Sequence, residues 1–178
     1  MVMLVLYVKT IESFDSLETN QRCAEQHLAG IELLKYALFE EYGLEIDEAD
    51  ILRSEHGKPY VNKEDVNFSI SHSGNKAAVF TASRPCGVDI EKIRPVNRSV
   101  ISRVCTEREI EFIGDSPRRF ITLWTLKESY VKAVGRGLGF GLKNIEFEIN
   151  NDGIRSNLGG EFGITELDGF IVAYCLKS

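Results

Sequence analysis

The spacing of apolar positions changes period several times along the chain, and each change marks an element. "MLVLYVK" is an aliphatic run that reads as a first β-strand. Residues 21–44 switch to helical spacing, with Leu28, Ile31, Leu34 and Leu38 recurring and Gly43 as the stop. Gly30 interrupts that helix at a cost of ~1 kcal/mol relative to Ala, so the position asks for close packing or for a ligand against the backbone. "RSEHGKPYV" is a polar loop. In "VNFSISHSGNKAAVFTAS", Phe68 and Ile70 alternate with Ser69 and Ser71, the chain turns at Ser73, Gly74 and Asn75, and Ala77 to Phe80 resume a strand. "CGVDIEKI" is a further short strand, residues 99–113 and 118–134 read as helices, and "IEFEI", "NDG" and "GFIVAYCL" close the chain as strands about a turn. Strand, helix and hairpin followed by helices and strands again define an α+β chain.

The last long helix places Trp124, Glu128 and Lys132 four residues apart, hence on one face. Leu126, Tyr130, Ala133 and Val134 cluster on the other side, which packs inward. By itself the stripe also reads as an exposed Glu–Lys pair worth ~0.2–0.5 kcal/mol beside a shoulder Trp.

Composition narrows the function. The chain has 178 residues, 43% of them hydrophobic and 27% charged, which fits one domain or two small halves. No apolar run approaches the ~20 residues of a membrane span, and the start lacks the pattern of a secretory signal. Cys23, Cys86, Cys105 and Cys175 are scattered without zinc spacing, as expected for free thiols in a reducing cytoplasm. A net charge of −6 argues against general nucleic-acid binding. The charge is uneven: residues 84–143 carry 12 basic and 7 acidic side chains, a balance of +5, so anions or acidic partners are expected there.

In "GVDIEK", Asp89 and Glu91 share one face of a strand and Val88 and Ile90 the other. Paired carboxylates suit Mg²⁺, which takes one or two protein carboxylates together with substrate phosphates and waters, and Glu128 offers a third. An edge strand with its polar face in water has the same pattern. Ser71 and His72 at a strand end and Lys58 in "GKP" suit a phosphate-rich ligand. A Ser/His hydrolase lacks the nucleophile elbow, and "GRGLGFG" matches neither phosphate-binding glycine pattern.

In this order, "GKP", "FSISHSG", "GVDIEK", "CTERE", "LWTLKESYVKAVGRGL" and "GFIVAYC" resemble the 4′-phosphopantetheinyl transferase superfamily, in its Sfp-like two-lobed form rather than its shorter trimeric form. The resemblance implies two similar α+β lobes, residues 1–85 and 86–178, related by a pseudo-two-fold axis with the active site between them. It implies a cytoplasmic, monomeric enzyme that uses Mg²⁺ and coenzyme A to modify a serine of an apo acyl or peptidyl carrier protein, with no nucleic-acid or membrane partner. By position, Asp89, Glu91 and Glu128 match the metal carboxylates and Lys132 the lysine at the coenzyme A phosphates. Lys58, Ser71 and His72 match further coenzyme A contacts. Glu107 matches another acidic residue near the metal, and either it or Glu128 is the base. Trp124 then walls the cleft. The family's basic residues for the 3′-phosphate are thinly represented, by Arg22, Gln26 and His27. Arg94, Arg98, Arg103, Arg118 and Arg119 are candidates for steering an acidic carrier. The alternatives are a non-catalytic module binding coenzyme A or a carrier, against which the full set of carboxylates and Lys132 speaks, and a metal-dependent phosphohydrolase.

Overall fold

In the computed structural model, which describes residues 4–12, 14–136 and 141–177, ten strands and four α-helices alternate. Strand β1 (Leu4–Thr10) leads to α1 (Thr19–Tyr42), a short ribbon of β2 (Leu52–Arg53) and β3 (Pro59–Tyr60), and a hairpin of β4 (Asn67–Ser73) and β5 (Lys76–Ala82). Strand β6 (Cys86–Lys92) then leads to α2 (Arg98–Val104), α3 (Glu107–Ile113) and α4 (Pro117–Val134). A ribbon of β7 (Phe147–Asn150) and β8 (Gly153–Ser156) and a hairpin of β9 (Glu161–Leu167) and β10 (Phe170–Leu176) follow. In both halves the first strand pairs antiparallel with the last, giving sheet orders β1-β5-β4 and β6-β10-β9.

The two central strands are buried on both faces, and their alternation builds the layers. Ala77 and Val79 of β5 pack with Leu33, Leu34, Ala37 and Leu38 of α1, whereas Ala78, Phe80 and Ala82 face the other sheet. In β10, Val172 and Leu176 meet the β1-β5-β4 sheet while Ile171, Ala173 and Cys175 pack with Leu123, Leu126 and Tyr130 of α4. The result is helix, sheet, sheet, helix, with Phe80 stacked on Tyr174 at 4.7 Å between the sheets. Lys76, itself buried, ties the hairpin turns of the two halves by donating to Thr10 Oγ1 and Asp168 Oδ2.

Local chemistry explains where the elements stop. Helix α1 opens on a Glu18–Gln21 capping box and ends at Gly43 in the left-handed region, with the Leu44 amide returning to the Leu38 carbonyl. Of the residues expected on its core face, Ile31, Leu34 and Leu38 are buried, with Leu33 and Ala37 beside them, whereas Leu28 is 49% exposed. The helix expected over 99–113 is two helices. Thr106 caps α3 by accepting from the Glu109 amide, and the Glu109 carboxylate accepts from the Thr106 amide at 2.9 Å, so the chain is extended at Cys105 and Thr106. Gly30 is a close-packing position: a Cβ there would meet Ile70 Cγ2 at 2.9 Å, so its absence lets α1 lie against β4. Within "GRGLGFG", residues 137–140 lie outside the described residues. No described helix is long and apolar enough to cross a membrane.

Candidate active site

The edge strands β4 and β6 run side by side in the same direction, one from each sheet, joined by side chains instead of a backbone ladder. Ser71 Oγ donates to Asp89 Oδ1 at 2.8 Å and accepts from the Ile90 amide, and Ser73 Oγ donates to Glu91 Oε2 at 2.9 Å and accepts from the Lys92 amide. This seam turns the outward carboxylates of β6 toward α4 instead of toward water. Asp89 is 5% exposed, so the solvated edge-strand reading does not describe it.

Helix α4 comes so close because residue 87 has no side chain. A Cβ on Gly87 would stand 1.9 Å from the Ser129 carbonyl oxygen and 2.5 Å from the Ala133 amide nitrogen. The contact sets Glu128 and Lys132 beside Asp89. Lys132 Nζ donates to Asp89 Oδ1 and to Ser71 Oγ, both at 2.7 Å. Together with Trp124, Glu91, His72, His27 and Arg53, these groups line one open cavity of about 490 Å³. A second cavity of about 230 Å³, bounded by Lys58, Ser69, Val131 and Gly135, shares Pro59, Ile70, Glu128 and Lys132 with the first.

The electrostatics are those of a site short of positive charge. Burial, and after it the Asp89 carboxylate, raise the pKa of both Glu91 and Glu128. Asp89 Oδ2 and Glu128 Oε1 are buried without a hydrogen-bond partner among the described residues, an arrangement that costs free energy until something compensates it. Desolvation, and after it the Lys132 ammonium, lower the pKa of His72, which keeps its imidazole neutral near pH 7.

A divalent cation fits this donor set. Among the described residues no three His, Cys, Asp or Glu side chains converge closely enough to hold a metal unaided. Magnesium, however, characteristically combines one or two carboxylates with substrate oxygens and water. Asp89, Glu91 and Glu128 are the side chains available to it.

Asp89, Glu91, Glu128, Lys132, Ser71 and His72 thus share one cavity wall. Lys58 borders the neighbouring cavity, with its ammonium turned to the backbone. It donates to the carbonyls of Cys86 at 2.9 Å and Ala133 at 3.4 Å, and burial lowers its pKa. It therefore caps the C-terminal end of α4, where carbonyls lack helical partners. Glu107 stands exposed at the start of α3 and does not line either cavity. Of the steering arginines, Arg98 pairs with Asp115, Arg118 with Glu166, and Arg119 donates to the Phe112 carbonyl over that residue's ring.

One buried pair escapes a reading by motif. Lys127 is fully buried, and its three N–H donors go to Glu109 Oε2 at 2.6 Å, the Val104 carbonyl at 2.8 Å and the Leu142 carbonyl at 3.2 Å. Glu109 also accepts from the amides of Thr106 and Phe147. The pair ties α2, α3 and β7 to α4 one residue before Glu128. Its sequence signal was the capping box at Thr106 and a lysine on the inward side of α4.

A profile of the 4′-phosphopantetheinyl transferase superfamily matches residues 85–175. The chain is 28% identical over 136 residues to 4′-phosphopantetheinyl transferase psf-1 of Bacillus pumilus, covering 73% of this chain and 58% of that protein. It is 31% identical over 157 residues to 4′-phosphopantetheinyl transferase ffp of Bacillus subtilis, covering 79% of this chain and 69% of that one. Among solved structures, Helicobacter pylori holo-[acyl-carrier-protein] synthase in complex with coenzyme A aligns with 52% of this chain and 99% of its own, at 21% identity and a TM-score of 0.45.

Proposed function

This chain belongs to the 4′-phosphopantetheinyl transferase superfamily, and we propose that it moves the 4′-phosphopantetheine arm of coenzyme A to a serine hydroxyl of an apo acyl or peptidyl carrier protein, releasing adenosine 3′,5′-bisphosphate. The observation that carries this reading is the gathering of three carboxylates and one ammonium on a single cavity wall, with two buried carboxylate oxygens lacking partners among the described residues.

In this reading Asp89, Glu91 and Glu128 hold Mg²⁺. The ion neutralises charge on the pyrophosphate and makes its phosphorus a better electrophile when bound. Lys132 leaves its resting contact with Asp89 and Ser71 to bind a phosphate oxygen of the donor. Ser71 and His72 contribute hydrogen bonds to the donor, the neutral imidazole without adding charge. Lys58 holds the end of α4, so that Lys132, in that last turn, meets the phosphate at a fixed place. The carrier serine oxygen attacks the phosphorus next to the pantetheine. That O–P bond forms as the P–O bond to the adenosine-side phosphate breaks, and the serine proton must go to a base. We assign the base to Glu128 over Glu107, because Glu128 lines the cavity and Glu107 does not. Trp124 walls the cavity beside the seam.

The two recurrences of strand, helix, ribbon and hairpin are then two lobes, residues 1–85 and 86–178, related by a pseudo-two-fold axis with the site at their seam. One copy of the chain supplies both sides of that seam, so a monomer suffices. The free cysteines fit a reducing cytoplasm. The basic surface around Arg94 and Arg103 faces an acidic carrier.

The test is intact-protein mass spectrometry of an apo carrier protein incubated with this protein, coenzyme A and Mg²⁺, beside an EDTA control. The expected result is a metal-dependent gain of one phosphopantetheine. Release of free phosphopantetheine without a carrier would identify a phosphohydrolase instead, and coenzyme A binding with no gain on any carrier type would identify a binding module.

A further inference from the structure

The two carboxylates of β6 are held by different means. Asp89 is buried, and its Oδ1 accepts from both Ser71 Oγ and the Lys132 ammonium. Glu91 is longer by one methylene and half-exposed, so it has more rotamers to lose before it can serve as a ligand. Among the described residues its carboxylate receives one hydrogen bond, from Ser73 Oγ to Oε2 at 2.9 Å. The same hydroxyl accepts from the Lys92 amide at 3.4 Å. Ser73 therefore touches both the side chain of residue 91 and the backbone one residue later, and the two contacts fix the carboxylate relative to its own strand. They engage Oε2 and leave Oε1 available to a cation.

Ser73 is itself held in place. It ends β4 opposite Lys76, the first residue of β5, and the turn between them is tied on several sides. The Gly74 carbonyl accepts from Gln26 of α1 and the Asn75 carbonyl from the Ile11 amide, both at 2.8 Å. Buried Lys76 grips Thr10 and Asp168. Gly74, at φ 52°, lies so near the Phe170 ring that a Cβ would stand 3.2 Å from its Cζ. One lobe thus presents a hydroxyl at a set place, and the glutamate of the other lobe takes its orientation from it. Ser71 is not equivalent, because its hydroxyl also meets Lys132, and its loss would disturb that lysine as well.

We propose that Ser73 is a positioning residue for Mg²⁺, acting through Glu91 by orienting that carboxylate across the seam between the lobes. The assignment rests on the reading of Asp89, Glu91 and Glu128 as the metal carboxylates, and its failure is distinguishable from the failure of that reading.

The test is calorimetric titration of Mg²⁺ into the wild type, Ser73→Ala, Ser73→Thr and Asp89→Ala, each with coenzyme A present and no carrier, against a blank of coenzyme A alone. Carrier modification is followed across the same Mg²⁺ range. Groups that hydrogen-bond a metal-ligating carboxylate typically contribute ~10- to 100-fold in metal affinity, so Ser73→Ala should weaken Mg²⁺ binding by ~10-fold or more. Its transfer rate should approach that of the wild type at saturating Mg²⁺, and Ser73→Thr, which keeps the hydroxyl, should recover part of the affinity. A purely structural role would lower the urea midpoint and leave the Mg²⁺ dependence where it was. Wild-type Mg²⁺ affinity in Ser73→Ala, beside its loss in Asp89→Ala, would overturn the assignment alone. Absence of Mg²⁺ binding by the wild type would overturn the metal reading and this assignment with it.

Discussion

At Gly87 the lack of a side chain is a packing requirement, since a Cβ would overlap the backbone of α4 at both Ser129 and Ala133. Backbone atoms cannot swing aside as a side-chain tip can, so Gly87→Ala must push α4 off β6. The expected outcome is a loss of ~1–3 kcal/mol or more in urea unfolding and a fall in transfer of ~100-fold, because shifts near 1 Å at catalytic groups have that effect. A variant with wild-type stability and turnover would show that the close approach is not required. The Lys127–Glu109 pair makes a second prediction at this scale. Lys127→Met leaves the Glu109 carboxylate buried without its counter-ion, which should cost about 3–5 kcal/mol, and adding Glu109→Gln should recover part of that loss in a double-mutant cycle. Little of this was legible beforehand. The glycine preceding Asp89 fitted an ordinary strand equally well, and a lysine on the inward side of a helix is visible only as an anomaly until its three acceptors, from distant segments, are known.

At the scale of elements, α4 departs furthest from a simple amphipathic pattern. Its inward face was predicted from Leu126, Tyr130, Ala133 and Val134, yet Thr125, Lys127 and Ser129 are buried as well, because β6 and β10 both pack on the helix. Trp124, Glu128 and Lys132 are its partly open edge, the stripe that the four-residue spacing marks out. The spacing revealed that the three share a face; the neighbour of that face came only from the seam between β4 and β6. Glu128→Gln removes a buried negative charge that has no hydrogen-bond partner for one oxygen. The expected result is thermal stability equal to or above the wild type without metal, together with loss of transfer and of any stabilisation by added Mg²⁺. Wild-type turnover in this variant would remove Glu128 from both proposed roles.

For the whole molecule, the alternation of β4, the apolar runs of β5 and β10 and the helical run of α1 predicted an α+β chain, and the layers follow from which alternate residues meet a helix and which meet the other sheet. The stacking of the sheets themselves was not legible, because a strand buried on both faces shows no alternation that would identify its neighbours. Burial of three thiols has a consequence at alkaline pH. Burial pushes the thiols of Cys86 and Cys175 up to about 12 and that of Cys105 up to about 11, from an ordinary value of 9.0. A folded pKa above the unfolded one means that the fold holds its protons more tightly. The stabilisation is therefore complete below about pH 9 and is lost as pH rises from about 9 toward 12. Urea midpoints should fall across that window, and Cys175→Ala should lessen the slope; a midpoint independent of pH there would contradict the buried-thiol packing.

The central claim is that the carboxylates of β6 and the edge of α4 form one phosphoryl-transfer site. Its most direct test is the rate of carrier modification by Asp89→Ala and the wild type across a Mg²⁺ titration, with folding checked by circular dichroism. A folded variant whose transfer is abolished at millimolar Mg²⁺ is the predicted result, and turnover equal to the wild type at every Mg²⁺ concentration would contradict the account.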